Sequence, residues 1–189
     1  MPVLPAEASI YPERLLDELC TLETTTRSWR VLHTKPRQEK AVARELLRIQ
    51  TPFYLPLMAR RSRRSGRIIT SYLPLFNGYV FALSSYEEQQ AVLATHRVAN
   101  SLDVFDQDQL RADLQQIYQL ISTELPVHPE ERFAPGIKVL IRSGPLEGLH
   151  GEVLRAASGR RFVVKVNFLQ QGASVLLDDV DLAHAEVEQ

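Results

Sequence analysis

The stretch KVLIRSGPLEGLHGEV, Lys138 to Val153, decides how this chain is read. Apolar residues alternate through Val139 and Ile141, and a turn punctuated by Gly144, Pro145, Gly148 and Gly151 follows. A β-rich run, RFVVKVNF from Arg161 to Phe168, returns after Ser158-Gly159. Glycine supplies the positive φ angles and close backbone approach of tight corners, so the pattern predicts a small, strongly bent sheet. Such a unit has no cleft and no catalytic constellation. Its product is a surface, and function is to be sought among partners.

Composition sets the outer bounds. At 189 residues the chain holds one domain or two. A hydrophobic fraction of 44% and a charged fraction of 24% are those of an ordinary globular protein. The single cysteine, Cys20, excludes an internal disulfide framework, and no Cys/His spacing suits zinc. No signal-like segment opens the chain, and no apolar run approaches the roughly 20 residues of a membrane span. A cytoplasmic protein without cofactor, metal or membrane partner is expected, and a monomer.

The net charge of -1 hides a segregation. Residues 29–83 carry eleven Lys/Arg against two Asp/Glu, whereas residues 84–134 carry three against nine. A strongly basic third bracketed by acidic segments points to an anionic partner, or to neutralisation within the fold.

Outward from the glycine-rich turn, the periodicity predicts an α+β domain of order β-α-β-β-β-α-β-α, a linker, and a small β-barrel. Residues 1–27 form an accessory helix, with Leu15, Leu16, Leu19 and Leu22 on one face, or else a loosely held arm. WRVLH, Trp29 to His33, is a strand. Pro36 opens a helix to about Gln50, with Val42, Leu46 and Ile49 as its buried stripe. Phe53 to Ala59 is a strand, and Ile68 to Leu73 returns after a basic loop, RRSRRSGR, from Arg60 to Arg67; together they make a β-hairpin with a basic tip, with Gly66 as its turn signal. A strand starts at Tyr79. Ser85 with Glu88, and Asp106 with Gln109, are helix-start patterns. Val98 to Phe105 is a strand. The last helix buries Leu110, Leu114, Ile117 and Ile121 and ends near Thr123. The predicted divisions are an arm over 1–27, a domain over 28–123, a linker over 124–134 and the glycine-rich domain over 135–189.

Together WRVLHTKPRQEK, LFNGYVFA and GPLEGLHG resemble the NusG family of transcription factors, with an RfaH-like cast in the HTKPRQEK start. The last segment resembles a KOW motif. The resemblance implies an antiparallel sheet flanked by helices (NGN-like), a linker, and an SH3-like KOW barrel. It implies a non-enzymatic elongation and antitermination factor. Its N-terminal domain would bind RNA polymerase on the clamp helices of the largest subunit and suppress pausing. Its KOW domain would recruit a ribosomal protein or Rho. Three features depart from the pattern: Asn77 replaces the usual proline, the Thr-rich segment aimed at the opposite polymerase wall is missing, and the arm has no counterpart.

Phe53, Tyr54, Leu75, Phe76 and Tyr79 are the candidate polymerase contacts, a socket for helices or else core. Arg61, Arg63, Arg64 and Arg67 are candidate phosphate ligands for upstream or non-template DNA, with Tyr72 and His96 as stacking candidates. Leu146 and Leu149 flank the KOW turn as a partner patch, and Gly151 provides a backbone angle closed to other residues. The glycines and Val163, Val164 and Val166 favour strands over a helical hairpin in this region. The alternative function is an RNA-binding or ribosome-associated KOW protein that does not act on polymerase. Scattered histidines and the lack of a phosphate loop or nucleophile elbow argue against catalysis.

Overall fold

The computed structural model describes residues 7–17, 26–64, 66–123, 125–130, 136–156, 159–177 and 185–187. In chain order the elements are β1 (Ile10–Tyr11), β2 (Ser28–Thr34), α1 (Glu39–Arg48), β3 (Phe53–Tyr54), β4 (Leu57–Arg64), β5 (Arg67–Pro74), β6 (Tyr79–Ser84), α2 (Tyr86–Leu93), β7 (Val98–Asp103), α3 (Gln107–Ser122), β8 (His128–Glu130), β9 (Ile137–Ile141), β10 (His150–Ala156), β11 (Gly159–Val166), β12 (Gln171–Leu177) and β13 (Ala185–Val187). They divide into two compact units, Met1–Pro56 with Phe76–Gln107 and Leu57–Leu75 with Asp108–Gln189. The hairpin β4–β5 and nearly all of α3 therefore group with the C-terminal strands, a partition that linear boundaries do not anticipate.

The first unit is built on a five-stranded sheet in the order β1-β3-β6-β2-β7, antiparallel throughout. Strand β6 pairs with β2 from Ser28↔Ser84 to His33↔Tyr79. Trp29, Val31, Leu32, Val80, Phe81 and Leu83 are buried, so this pair forms the middle of the core. Helix α1 buries Val42, Ala43 and Leu46. It begins three residues later than its proline suggests, because Arg37 sits at φ 63, outside the helical region. Ser85 caps α2 with a reciprocal capping box: its hydroxyl accepts from the Glu88 N–H and its own N–H donates to Glu88.

Two expectations fail here. The arm is not helical over residues 7–17. Ile10 and Tyr11 instead pair with Tyr54 and Phe53 as a short edge strand, while Leu15 and Leu16 are buried. Leu19 and Leu22 lie outside the described residues. The run expected as a single strand, Phe53 to Ala59, is split at Leu55-Pro56 into β3 and β4, which enter different sheets. Proline has no N–H for the ladder, so a strand cannot pass through it in a sheet interior.

In the second unit six strands pair in the order β13-β9-β10-β11-β12-β8. This is a bent antiparallel sheet, but no ladder among the described residues joins β8 to β13, so the closed barrel is not seen. The valines of β11 pair with β12 in the expected strand conformation. In the corner between β9 and β10, Gly144 and Gly148 adopt φ of 91° and 81°. The Gly148 N–H donates to the Ile141 carbonyl at 2.9 Å and closes the turn. Gly151 has another reason to be glycine. Its φ is not positive, and a Cβ placed there would lie 2.5 Å from the Val163 carbonyl oxygen and 2.6 Å from the Phe162 ring. Close approach between β10 and β11, not a special backbone angle, excludes a side chain.

Candidate nucleic-acid interface and partner surfaces

The arginine-rich segment is not a loop. β4 and β5 pair along their whole length, from Leu57↔Pro74 to Arg64↔Arg67, and Gly66 turns the chain at φ 79. The arginines therefore stand on a two-stranded ribbon. Side chains alternate between faces along each strand, and directly paired residues share a face. Arg61 and Arg63 thus lie on one face with Ile68, Thr70 and Tyr72. Arg60 and Arg67 lie on the other with Ser62, Ile69 and Ser71. The side chain of Arg64 is outside the described residues.

The electrostatics of this ribbon are one-sided. No Asp or Glu occurs between Glu45 and Glu87. Arg60, Arg61, Arg63 and Arg67 are exposed, and no carboxylate among the described residues pairs with them. Exposed guanidinium groups without internal partners bind phosphate by charge-assisted, often bidentate hydrogen bonds. Tyr72, 53% exposed, sits on the face of Arg61. The foot of the ribbon, with Ile121 of α3 and Leu125 to Val127, lines a groove of about 670 Å³. His96, the other stacking candidate, is exposed at φ 55 in the first unit, after α2.

The apolar candidates fall differently. Phe53, Tyr54, Leu75 and Phe76 are at most 2% exposed, so in this conformation they present no surface to a helix. Phe76 meets the Phe81 ring edge-on at 6.1 Å. Only Tyr79 is partly exposed, stacked on His33 at 5.1 Å. The turn before it is tied down: the Gly78 N–H donates to Glu39 at 2.8 Å, and its carbonyl accepts from the Thr34 N–H at 2.8 Å. Asn77 is exposed beside this anchored glycine. Leu146 and Leu149 are each 1% exposed and belong to the interior, which corrects their reading as a partner patch. Sequence reasoning missed several apolar residues that face outward, among them Ile68, Ile69, Tyr86, Phe105, Ile137 and Leu176. Alternation patterns mark burial only where one face of a strand is covered, and toward the tip of the ribbon the residues of both faces are exposed.

Two ion-paired carboxylates hold the scaffold. Glu88 is part-buried, and burial alone would raise its carboxyl. The Arg27 guanidinium, at 2.5 Å, and the Ser85 N–H hold it below the usual range instead. Glu152 on β10 behaves alike. Burial opposes its charge, but Lys165, the Gly136 N–H and the more distant Lys138 lower it. In the same unit, Asp113 of α3 is 6% exposed and accepts from the Asn167 N–H at 2.7 Å and from its side-chain amide. Gln116 accepts from the His150 N–H at 2.9 Å. These bonds tie α3 to the turns of the C-terminal sheet, a link with no signal in sequence spacing. Among the described residues no group of three His, Cys, Asp or Glu is disposed to hold a metal, and no helix is long and apolar enough to cross a membrane.

Comparison with known proteins adds to this geometry. The family described as "Transcription termination factor nusG" matches residues 27–128, more than half of the chain. A solved structure described as domain interaction in Thermotoga maritima NusG aligns with 86% of this chain and 98% of that chain, at 19% identity and a TM-score of 0.48. No curated protein is similar enough in sequence to count as a relative.

Proposed function

The chain belongs to the NusG family, and from that premise we propose that it is an elongation and antitermination factor that binds RNA polymerase and suppresses pausing. The family is one of non-enzymatic transcription factors. The observation that carries the reading is the family match over residues 27–128, which takes in β2, β3, β6 and β7 of the sheet, the three helices and the ribbon. The polymerase contact is assigned to the surface around Tyr79, against the clamp helices of the largest subunit. Phe53, Tyr54 and Phe76 would support that surface from the interior, and Leu75 is likewise buried. In this proposal polymerase binding falls to a module over 28–123 and recruitment to one over 135–189, with a linker over 124–134, although the hairpin and most of α3 group with the C-terminal strands.

Arg61, Arg63, Arg64 and Arg67 are assigned to upstream or non-template DNA beside the polymerase, as phosphate contacts without sequence information. The C-terminal module is read as a KOW domain with an SH3-like barrel. It would recruit a ribosomal protein or Rho, with Leu146, Leu149 and Gly151 holding its glycine-rich turn. The HTKPRQEK start supports an RfaH-like paralogue serving particular operons in the cytoplasm.

The reading is tested with purified core polymerase from the same organism. Size-exclusion chromatography after nuclease treatment is expected to show co-elution, lost in Tyr79→Ala while that variant keeps its circular-dichroism spectrum. Association with ribosomal particles alone, and none with polymerase, would replace the proposal with the ribosome-associated alternative.

A further inference from the structure

The two isoleucines at the tip of the ribbon lie outside the buried core. Ile68 is 72% exposed and Ile69 44%, and they stand on opposite faces beside the turn at Gly66. Isoleucine in water on both faces of an unshielded ribbon is a standing cost and invites edge pairing. Their neighbours are cations. Ile68 pairs directly with Arg63, and Ile69 shares its face with Arg60 and Arg67.

The distribution of charge identifies the partner. A single strand of nucleic acid tracked along a sheet presents its phosphates to one face. Here arginine occupies both faces: Arg61 and Arg63 on one, Arg60 and Arg67 on the other. Two phosphate backbones flanking the ribbon would use both sets, and that arrangement is a duplex groove. Strands in a sheet lie about 4.8 Å apart, and the minor groove of B-DNA is about 6 Å wide. The major groove, about 12 Å wide, takes a two-stranded ribbon as it stands and gives an exposed apolar tip nothing to do; the minor groove takes one only if it opens. Proteins open it by inserting an apolar wedge between base pairs, which unstacks one step and kinks the duplex. An exposed isoleucine at a cationic tip has that chemistry.

Resting on the nucleic-acid reading above, we propose that the β4–β5 ribbon enters the minor groove of duplex DNA. Its arginines engage the two phosphate strands, one set from each face, and Ile68 wedges into a base step. Pyrimidine–purine steps, the most easily unstacked, are the preferred sites. Double-stranded RNA is excluded as the ligand because its minor groove is already wide and shallow, offering nothing for a wedge to open.

The test uses the full chain with a short DNA duplex carrying 2-aminopurine at a central TA step, the corresponding single strand, and an RNA duplex of the same sequence. The expected result is DNA duplex binding about 10-fold tighter than the single strand, with a rise in 2-aminopurine emission as the step unstacks. Ile68→Ala abolishes the rise and weakens duplex binding about 5-fold, leaving the slope of log K against log salt unchanged. Arg63→Ala lowers that slope by about 0.9. Duplex binding without an emission change, or with Ile68→Ala indistinguishable from the parent, overturns the wedge. The broader nucleic-acid reading would then survive through the Arg63→Ala slope. Absence of binding to every probe, with Arg63→Ala equal to the parent, overturns both. Ile68→Ala weakening polymerase binding in the absence of DNA, with duplex binding unaltered, would make the tip a protein contact and overturn the wedge as well.

Discussion

Strand β6 reads YVFALS and buries five of its six residues, whereas β5 reads RIITSYLP and exposes six of its eight. Both are β-rich by composition and both pair antiparallel. β6 lies third of five strands, between β3 and β2, in a sheet with a hydrophobic core. β5 has one partner and no covering layer. An isolated two-stranded hairpin gains little from its ladder alone. The comparison teaches that strand-forming sequence in this chain serves two ends. In β6 it makes the core, and in β5 it pairs with β4 in a ribbon whose arginines stand exposed.

The largest predicted contrast lies in truncation of the two strands. Phe81→Ala in β6 should cost about 3–5 kcal/mol, because Phe81 is fully buried. Ile68→Ala in β5 should change stability by no more than about 0.5 kcal/mol. Urea titration of both variants checks this, and equal costs would break the distinction. Next come two glycines that are glycine for opposite reasons. Gly151→Ala forces a Cβ against the Val163 carbonyl and should cost about 1–3 kcal/mol. Gly66→Ala, at φ 79 with nothing within 4 Å, meets only backbone strain of about 1 kcal/mol. Thermal unfolding of the pair ranks them.

A smaller effect separates paired from unpaired arginines. Arg27 and Glu88 are 28% and 18% exposed, and Arg27→Met should cost about 1 kcal/mol at pH 7. The folded Glu88 carboxyl lies below its ordinary value of 4.5, so the unfolded chain binds its proton more readily. The contribution is therefore complete above pH 4.5 and is lost as pH falls from there through the lower, folded value. The gap between parent and Arg27→Met should close over that acid range in urea titrations repeated at each pH. A gap that persists below it would contradict the assigned cause. The smallest effect on stability belongs to Arg61→Ala, which loses no carboxylate partner among the described residues. It should leave unfolding unchanged within about 0.5 kcal/mol while lowering the salt dependence of DNA binding.

Local signals carried much of this architecture. The Ser85–Glu88 capping box and the glycine corner at Gly144 and Gly148 are encoded within a few residues and were legible in the sequence, as was the apolar face of α3 at Leu110, Leu114 and Ile117, although Leu120 rather than Ile121 completes it. Three other features were not, because they depend on residues far apart. The pairing of Ile10 with Tyr54 spans a long separation and has only two residues of strand to announce it. The burial of Tyr54, Phe76, Leu146 and Leu149 depends on what covers them, and an aromatic or leucine beside a turn reads equally well as socket or core. The bond from Asn167 to Asp113 joins a turn to a helix 54 residues away. At the candidate interface the arginines, the hairpin and its turn at Gly66 were legible. That the paired strands run on through Arg60 to Arg64 and Arg67 was not, since a basic run without apolar alternation reads as a loop. Gly151 shows the same limit, because close approach between strands leaves the same letter in the sequence as a positive φ.

The most direct measurement is single-round transcription of a long template by polymerase from the same organism, with and without the protein. The account predicts shorter pauses and more read-through at terminators, an effect lost in Tyr79→Ala while the variant stays folded. Pause lifetimes and read-through that do not change at saturating protein would contradict it.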